Sequence, residues 1–197
     1  NAEQVDVMPQ EMAVRQDIRP LKLLLLNLMP KKRDTEIQFA RLFGNTPLQV
    51  EMILMTTASY TPRNTEPGYL RRFYRQLDDV RFEYFDALIV TGAPIETLPF
   101  EEVNYWQELS EIMDWSRAHC FRRLGICWGA QALLWHFFKV PKHQLDLKLF
   151  GVFDHRLSHI SGRLMNGFTD RFPMPISRYT MNRTSDIEAA GLDVLAN

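Results

Sequence analysis

The stretch LGICWGAQALLW, residues 124–135, places one cysteine between two glycines, where an apolar run gives way to a helix-like run. Around Cys127 the spacing is Gly-x-Cys-x-Gly. The serine version of this spacing carries a nucleophile on a sharp strand-to-helix turn, where crowded backbone leaves no room for a Cβ. The stretch therefore predicts an α/β fold with a reactive thiol at the carboxyl end of its sheet.

Apolar runs alternate with amphipathic segments along the rest of the chain. Buried-type strands are predicted at 22–28, 48–55, 85–91 and 121–126, and helices at 34–43, 66–77, 103–118 and 129–138. This alternation favours an α/β three-layer sandwich with a mostly parallel sheet. After residue 141 the pattern is less regular, with short strands predicted at 148–153, 162–164 and 193–196. We expect one domain over residues 1–197, because no linker divides the chain.

Composition narrows the function classes. The chain has 197 residues, a net charge of −1 and 46% hydrophobic residues, which is ordinary for a globular protein without a nucleic-acid partner. No secretory signal and no apolar run of membrane-spanning length is visible. Cys120 and Cys127 suggest free thiols rather than a disulfide framework, so we expect a cytoplasmic protein with small-molecule substrates.

Cys127 is the candidate nucleophile. A following helix would point its amino end at the sulfur and favour the thiolate, while the backbone N–H of Trp128 would face a developing oxyanion. A second turn, Thr91-Gly92-Ala93-Pro94, ends another predicted strand at the same edge. Its N–H groups at Gly92 and Ala93 are candidates for the other half of an oxyanion hole. The alternatives are a buried structural cysteine and a plain strand-ending turn.

A cysteine nucleophile usually needs a base, and the histidines do not supply an evident one. None occupies a position that its spacing alone places beside Cys127, and no familiar zinc spacing occurs, so we expect no metal. The five histidines are His119, His136, His143, His155 and His159.

The chain resembles the homoserine O-acyltransferases, also called homoserine transsuccinylases, a branch of the class I glutamine amidotransferase-like fold. The resemblance covers essentially all 197 residues, and its most specific element is Asn-Leu-Met-Pro-Lys-Lys at 27–32. A glutamine amidotransferase has no reason to carry that element. Further matches are Arg-Pro-Leu-Lys at 19–22, Arg-Asn-Thr at 63–65, Thr-Gly-Ala-Pro at 91–94, Cys-Trp at 127–128 with Gln131, Gly-Val-Phe at 151–153 and Ser-Arg-Tyr at 177–179.

The resemblance implies ping-pong acyl transfer in methionine biosynthesis, from acyl-CoA to the hydroxyl of L-homoserine. It makes Cys127 the residue that carries the acyl group as a thioester, and Lys148 and Ser177 the residues that bind the amino acid. Glu96 matches the position that selects the donor, where glutamate accompanies acetyl-CoA and glycine accompanies succinyl-CoA. A carboxylate there would repel succinate, so acetyl transfer is favoured. Acyl-CoA is a co-substrate, and no bound cofactor is expected.

Lys32 matches a lysine near the family's active site, where a cation can stabilise the thiolate or meet CoA phosphates. A solvated loop is the alternative for Lys31, Lys32 and Arg33. The resemblance also implies a homodimer.

The family's base and its carboxylate partner come from a His-x-Glu element, and no histidine here is followed two residues later by Glu or Asp. We therefore expect the intact protein to continue beyond Asn197 and to carry this pair there. The alternative is a naturally short, inactive relative.

One position departs from the family, because Ile176 stands where histidine is usual before Ser177 and Arg178. Serine as acceptor, in a serine O-acetyltransferase, and a glutaminase domain remain alternatives.

Overall fold

Five parallel strands form the central sheet of the computed structural model, which describes residues 9–13, 17–59, 65–158 and 163–197. The first elements in chain order are α1 (Gln10–Ala13), β1 (Leu21–Leu26), α2 (Lys32–Gly44), β2 (Val50–Met55), α3 (Pro67–Phe73), β3 (Tyr74–Arg75), α4 (Leu77–Val80), β4 (Phe85–Val90), α5 (Trp106–His119) and β5 (Cys120–Gly125). They are followed by α6 (Trp128–Phe138), β6 (His143–Arg156), β7 (Arg171–Met181) and α7 (Thr184–Ala189), with short 3-10 helices at Phe100–Glu102 and Arg163–Met165.

The strand order changes direction at the centre of the sheet. The order is β3-β2-β1-β4-β5, so the chain leaves β1 toward one side for β2 and later returns to the other side for β4. Loops that follow β1 and β4 therefore diverge at their carboxyl ends. This topological switch point is where open α/β sheets bind ligands.

β1 is the buried centre of the sheet, with β2 on one side and β4 on the other. Its last three residues, Leu24, Leu25 and Leu26, are fully buried. A strand covered on both faces needs apolar side chains at successive positions, which explains its unbroken leucine run. Burial of each leucine contributes about 1.5–3 kcal/mol, so β1 is a strong anchor for the loops at its carboxyl end.

The chain divides into two compact units. The first comprises residues 1–94 and 100–130 and contains the parallel sheet; the second comprises residues 95–99 and 131–197. In the second unit β6 and β7 pair as an antiparallel hairpin, and His143 on β6 forms an ion pair with Asp186 on α7 at 2.6 Å. The expectation of one domain over residues 1–197 stays a prediction.

The predicted α/β class is confirmed, and the four parallel strands and their helices lie within a few residues of the expected bounds. One expected helix, 66–77, is wrong beyond Phe73, because Tyr74–Arg75 form a strand against the end of β2. Tyr74 is a buried aromatic residue in a two-residue strand, too short for its alternation to be visible in the sequence.

The second half departs further from expectation. The strand predicted at 148–153 is part of β6, fourteen residues long, and β7 was not predicted. Prolines at positions 173 and 175 are unusual in a strand, so the sequence did not indicate β7. Among the described residues β7 pairs only with β6, and the prolines therefore lie on the edge of a two-stranded sheet. Arg163–Met165 are a 3-10 helix, and Gly162 lies outside the described residues.

The strand expected at 193–196 is reduced to a single antiparallel bridge between Leu157 and Ala196. Across the described residues, no helix has the length and apolar character needed to cross a membrane.

Candidate active site at the switch point

Cys127 occupies a strained turn between β5 and α6. Its φ is 54°, in the left-handed region that residues other than glycine seldom adopt, and its side chain is exposed. β5 ends at Gly125 and α6 begins at Trp128, as the Gly-x-Cys-x-Gly spacing predicts. Strain of this kind persists only where the surrounding structure enforces it, and it is concentrated at functional sites.

The two glycines are required by close contact rather than by their own backbone angles. A Cβ at Gly125 would lie 2.4 Å from the Cα of Ala130, and one at Gly129 would lie 2.4 Å from the carbonyl oxygen of Val90. The first turn of α6 therefore rests directly on the ends of β4 and β5. This contact holds Cys127 in its unusual conformation.

The turn that follows β4 forms a wall beside the sulfur. A Cβ added at Gly92 would lie 3.2 Å from the Cβ of Cys127 and 3.6 Å from its Sγ. Thr91 ties this turn to the loop after β1, because its hydroxyl accepts the Leu28 N–H at 2.8 Å and donates to the Gly92 carbonyl at 3.1 Å. The predicted neighbours Cys127 and Gly92 are thus brought together.

The predicted oxyanion donors belong to the two turns that meet at Cys127. Among the described residues, the backbone N–H groups of Gly92, Ala93 and Trp128 have no hydrogen-bond partner. Trp128 is fully buried, packing against Phe100 and Tyr105 with ring centroids 5.9 Å and 6.3 Å apart. Its indole anchors the start of α6, whose amino end favours negative charge at the turn.

Lys32 is neither a solvated residue nor an isolated cation. It is 3% exposed, donates a hydrogen bond from Nζ to the carbonyl oxygen of Asn27, and lies over the ring of Tyr74 at 5.3 Å. Burial lowers the pKa of Lys32 to about 8, and the negative charge of Glu36 opposes that shift. The solvated-loop alternative is wrong for Lys32, while Lys31 and Arg33 are exposed.

A buried cluster surrounds Lys32 that the sequence did not reveal. The Asn27 side chain donates to the Tyr74 hydroxyl at 2.9 Å, and the hydroxyls of Tyr74 and Tyr69 donate to the two oxygens of Glu36. Burial and the contact with Glu36 raise the pKa of both tyrosines, that of Tyr69 to about 12. We call Asn27, Lys32, Glu36, Tyr74 and the half-buried Tyr69 the buried cluster. In the sequence, the one sign of this cluster was Asn27, a polar residue at the end of an apolar strand.

In the second unit, the two residues predicted to bind the amino-acid substrate lie on one face of the hairpin. Ser177 is paired with Phe150 across the β6–β7 hairpin, so their side chains share one face. Lys148 lies on that same face, because its Nζ sits 5.5 Å from the ring of Phe150 and 5.3 Å from that of Tyr179. Lys148 and Ser177 are both exposed. Ile176 is paired with Gly151 and points to the opposite face.

Glu96 lies in a loop of the second unit and is half-buried. Lys142 braces that loop by donating hydrogen bonds to the carbonyl oxygens of Glu96, at 2.6 Å, and Leu98. These hydrogen bonds are made to main-chain atoms and do not involve the Glu96 carboxylate.

The four histidines that the structure describes each contact another side chain. In the first unit, His119 stacks on Trp115 at the amino end of β5, the opposite edge of the sheet from Cys127. In the second unit, His143 pairs with Asp186 and His155 stacks on Phe172. His136 is in the last turn of α6, and His159, like Arg63 and Asn64, is outside the described residues.

A solved structure has a similar fold. The chain resembles the crystal structure of a Thermoplasma acidophilum protein described as a GMP synthase subunit, with a TM-score of 0.55 and 16% identity over 85% of this chain and 69% of that chain. Together with the strand order and the cysteine turn, this likeness places the chain in the class I glutamine amidotransferase-like fold.

Sequence comparison identifies the family. The family described as homoserine O-succinyltransferase matches residues 1–197, and the chain belongs to it. A homoserine O-acetyltransferase of Clostridium beijerinckii is 51% identical over 98% of this chain and 64% of its own length. One of Novosphingobium aromaticivorans is 50% identical over the whole chain and 65% of its own length. One of Allorhizobium ampelinum is 50% identical over 94% of this chain and 60% of its own length. The chain thus spans less than two thirds of the length of these relatives.

We predict that Gly129→Ala lowers the free energy of unfolding by about 1–3 kcal/mol or more, because the added Cβ collides with the carbonyl of Val90 and neither group can move aside. Urea unfolding of the intact protein measures the change. Gly68→Ala is the control, since a Cβ at Gly68 meets nothing within 4 Å. Equal midpoints for the two variants would contradict the steric explanation.

We also predict selective alkylation of the native protein by iodoacetamide at pH 8, with Cys127 modified and Cys120 spared. Cys120 is buried, and burial raises the pKa of its thiol to about 12, so its thiolate is scarce at that pH. Peptide mass spectrometry after brief labelling measures both sites, and labelling in denaturant is the control that should modify both. Equal labelling of the native protein would contradict this assignment.

Proposed function

We propose that the intact protein is a homoserine O-acyltransferase of methionine biosynthesis that passes an acetyl group from acetyl-CoA to the hydroxyl of L-homoserine through a thioester on Cys127. The observation that carries the proposal is the strained Cys127 turn packed against Gly92, with unpaired N–H groups beside it. Membership of the homoserine O-succinyltransferase family supports the acceptor.

The first half-reaction transfers the acyl group to the enzyme. The thiolate of Cys127 attacks the carbonyl carbon of acetyl-CoA, a new S–C bond forms, and the developing oxyanion is held by the N–H groups of Trp128, Gly92 and Ala93. Collapse of the intermediate breaks the C–S bond to CoA, which leaves as a thiolate and takes up a proton. Lys32 supplies positive charge at the same edge of the sheet.

The second half-reaction releases the acyl group to the amino acid. The hydroxyl of homoserine attacks the thioester, its proton passes to a general base, and the Cys127 thiolate is regenerated. We expect the base from the His-x-Glu element that the family resemblance implies. Lys148 is suited to bind the carboxylate of the amino acid, and the Ser177 hydroxyl, on the same face of the hairpin, is suited to donate a hydrogen bond to that carboxylate.

The donor is proposed as acetyl-CoA rather than succinyl-CoA. The family resemblance puts the half-buried Glu96 at the position that selects the donor, where its negative charge would repel the free carboxylate of a succinyl group. The three relatives described above carry the name homoserine O-acetyltransferase. Two free thiols fit a reducing cytoplasm, and the homodimer implied by the resemblance stays a prediction.

The proposal is tested by mass spectrometry of the intact protein after mixing with acetyl-CoA or succinyl-CoA in the absence of acceptor. We expect an acetyl adduct on the peptide that contains Cys127, little succinyl adduct, and release of the adduct when homoserine is added. Cys127→Ala should form no adduct, whereas Cys120→Ala, which removes the buried thiol, should form it normally. Hydrolysis of glutamine without acylation by either donor would reject acyl transfer in favour of a glutaminase.

Acceptor binding by Lys148 is tested separately. We predict that Lys148→Met raises the KM for homoserine by about 10- to 100-fold, the worth of a hydrogen bond to a charged group, and leaves the rate of Cys127 acylation unchanged. Steady-state kinetics and single-turnover acylation measure the two effects. Lys139→Met is the matched control, because Lys139 is also an exposed lysine over an aromatic ring, that of Trp135. A slower acylation step with unchanged KM would contradict the role given to Lys148.

A further inference from the structure

Glu36 is a buried carboxylate with both oxygens engaged. It is 8% exposed and lies one helical turn after Lys32 on α2. Tyr74 donates to one of its oxygens and Tyr69 to the other. Burying a carboxylate costs stability unless hydrogen bonds and a nearby cation compensate it, and here two tyrosines and Lys32 do so. Because burying this carboxylate costs free energy, we expect Glu36 to have a functional role.

The functional role that we infer for Glu36 is its effect on the charge of Lys32. Desolvation alone favours the neutral amine, and the pKa of Lys32 is already lowered to about 8. Glu36 is the negative charge that opposes this loss. Tyr74 links the two residues geometrically, because its ring lies under the ammonium while its hydroxyl donates to Glu36 and accepts from Asn27.

The buried cluster is connected to the cysteine turn by hydrogen bonds. Lys32 donates to the carbonyl of Asn27, and the next residue along, Leu28, donates its N–H to the hydroxyl of Thr91. That hydroxyl donates to the carbonyl of Gly92, whose Cα faces Cys127. The position of Lys32 and the shape of the wall beside the sulfur are therefore set by one continuous set of contacts in the first unit.

We propose that Glu36 is a positioning residue for the acyl transfer: together with Tyr74 and Asn27 it fixes the Lys32 ammonium at the carboxyl edge of the sheet and keeps it charged. This inference rests on the proposed function, in which Lys32 supplies that charge.

Other charged groups are less suited to this task. A cavity of about 460 Å³ beside Lys32 and Tyr69 is also lined by Lys31, Arg33, Asp34 and Glu66. These four residues are exposed, so solvent screens their charges. The two tyrosines of the buried cluster, Tyr69 and Tyr74, stay neutral at physiological pH, because their pKa values are raised.

The test uses the intact protein with its lysine side chains labelled with ¹⁵N, the Lys32 signal being assigned by its loss in Lys32→Arg. We expect Lys32 to titrate near pH 8 in the wild type, and about one pH unit or more lower in Glu36→Gln, which removes the opposing charge. The alkaline limb of the kcat/KM profile should move with it. Glu36→Asp should restore both midpoints toward the wild-type value.

Glu111→Gln is the matched control, because it removes a carboxylate of an exposed ion pair with Arg81 in the same unit. We expect no change in the Lys32 titration or in the alkaline limb, and thermal unfolding of each variant reports stability separately. A merely structural Glu36 would lower the unfolding temperature and leave both midpoints in place, which would overturn the proposal.

The remaining outcomes are distinct. If Glu36→Gln does not fold, the wild type still decides, since a Lys32 midpoint more than about one pH unit from the alkaline limb would overturn the proposal. A lowered Lys32 midpoint with an unmoved limb would overturn the positioning role while leaving Cys127 acylation intact. Failure of Cys127 to be acylated would reject the proposed function, and the ¹⁵N titration would still report the coupling of Glu36 to Lys32.

Discussion

The contact between the first turn of α6 and the ends of β4 and β5 is the constraint on which the rest of the candidate site depends. Helix and sheet meet with no space for a side chain at Gly125 or Gly129. Between them, Cys127 adopts a left-handed conformation and its side chain is exposed. If α6 lay farther from the ends of β4 and β5, the backbone at Cys127 could relax, and the sulfur would lose its position beside Gly92.

Polar groups at the switch point are organised around the end of β1. Asn27 follows three fully buried leucines, and its own side chain and carbonyl are both engaged by the buried cluster. Since β1 is the middle strand of the five and its last three residues are fully buried, its carboxyl end is a rigid origin for the loops on either side. A rigid strand end of this kind fixes the positions of the functional groups on the loops that follow it.

Much of the fold was predictable because buried parallel strands and amphipathic helices leave patterns several residues long. The apolar run of β1, the elbow spacing around Cys127 and the turn at Gly92 all have local signatures. Tyr74–Arg75 had none, because a two-residue strand shows no alternation, and its neighbours continue a helical pattern. The length of β6 and the existence of β7 were missed for a related reason, since prolines and exposed apolar residues hide the alternation of a hairpin.

The sequence by itself determined the strand-to-helix turn at Cys127, the parallel sheet beneath it and the family resemblance, because these depend on local spacing and on residue types that permit few conformations. Only the tertiary structure decided the surroundings of Lys32 and the shared face of Lys148 and Ser177. Glu36, Tyr69 and Tyr74 come from α2, α3 and β3, and hydrogen bonds between them link positions 33 and 38 residues apart. Such contacts follow from how the elements pack, and side chains alone carry no local signal of which distant partner will satisfy them.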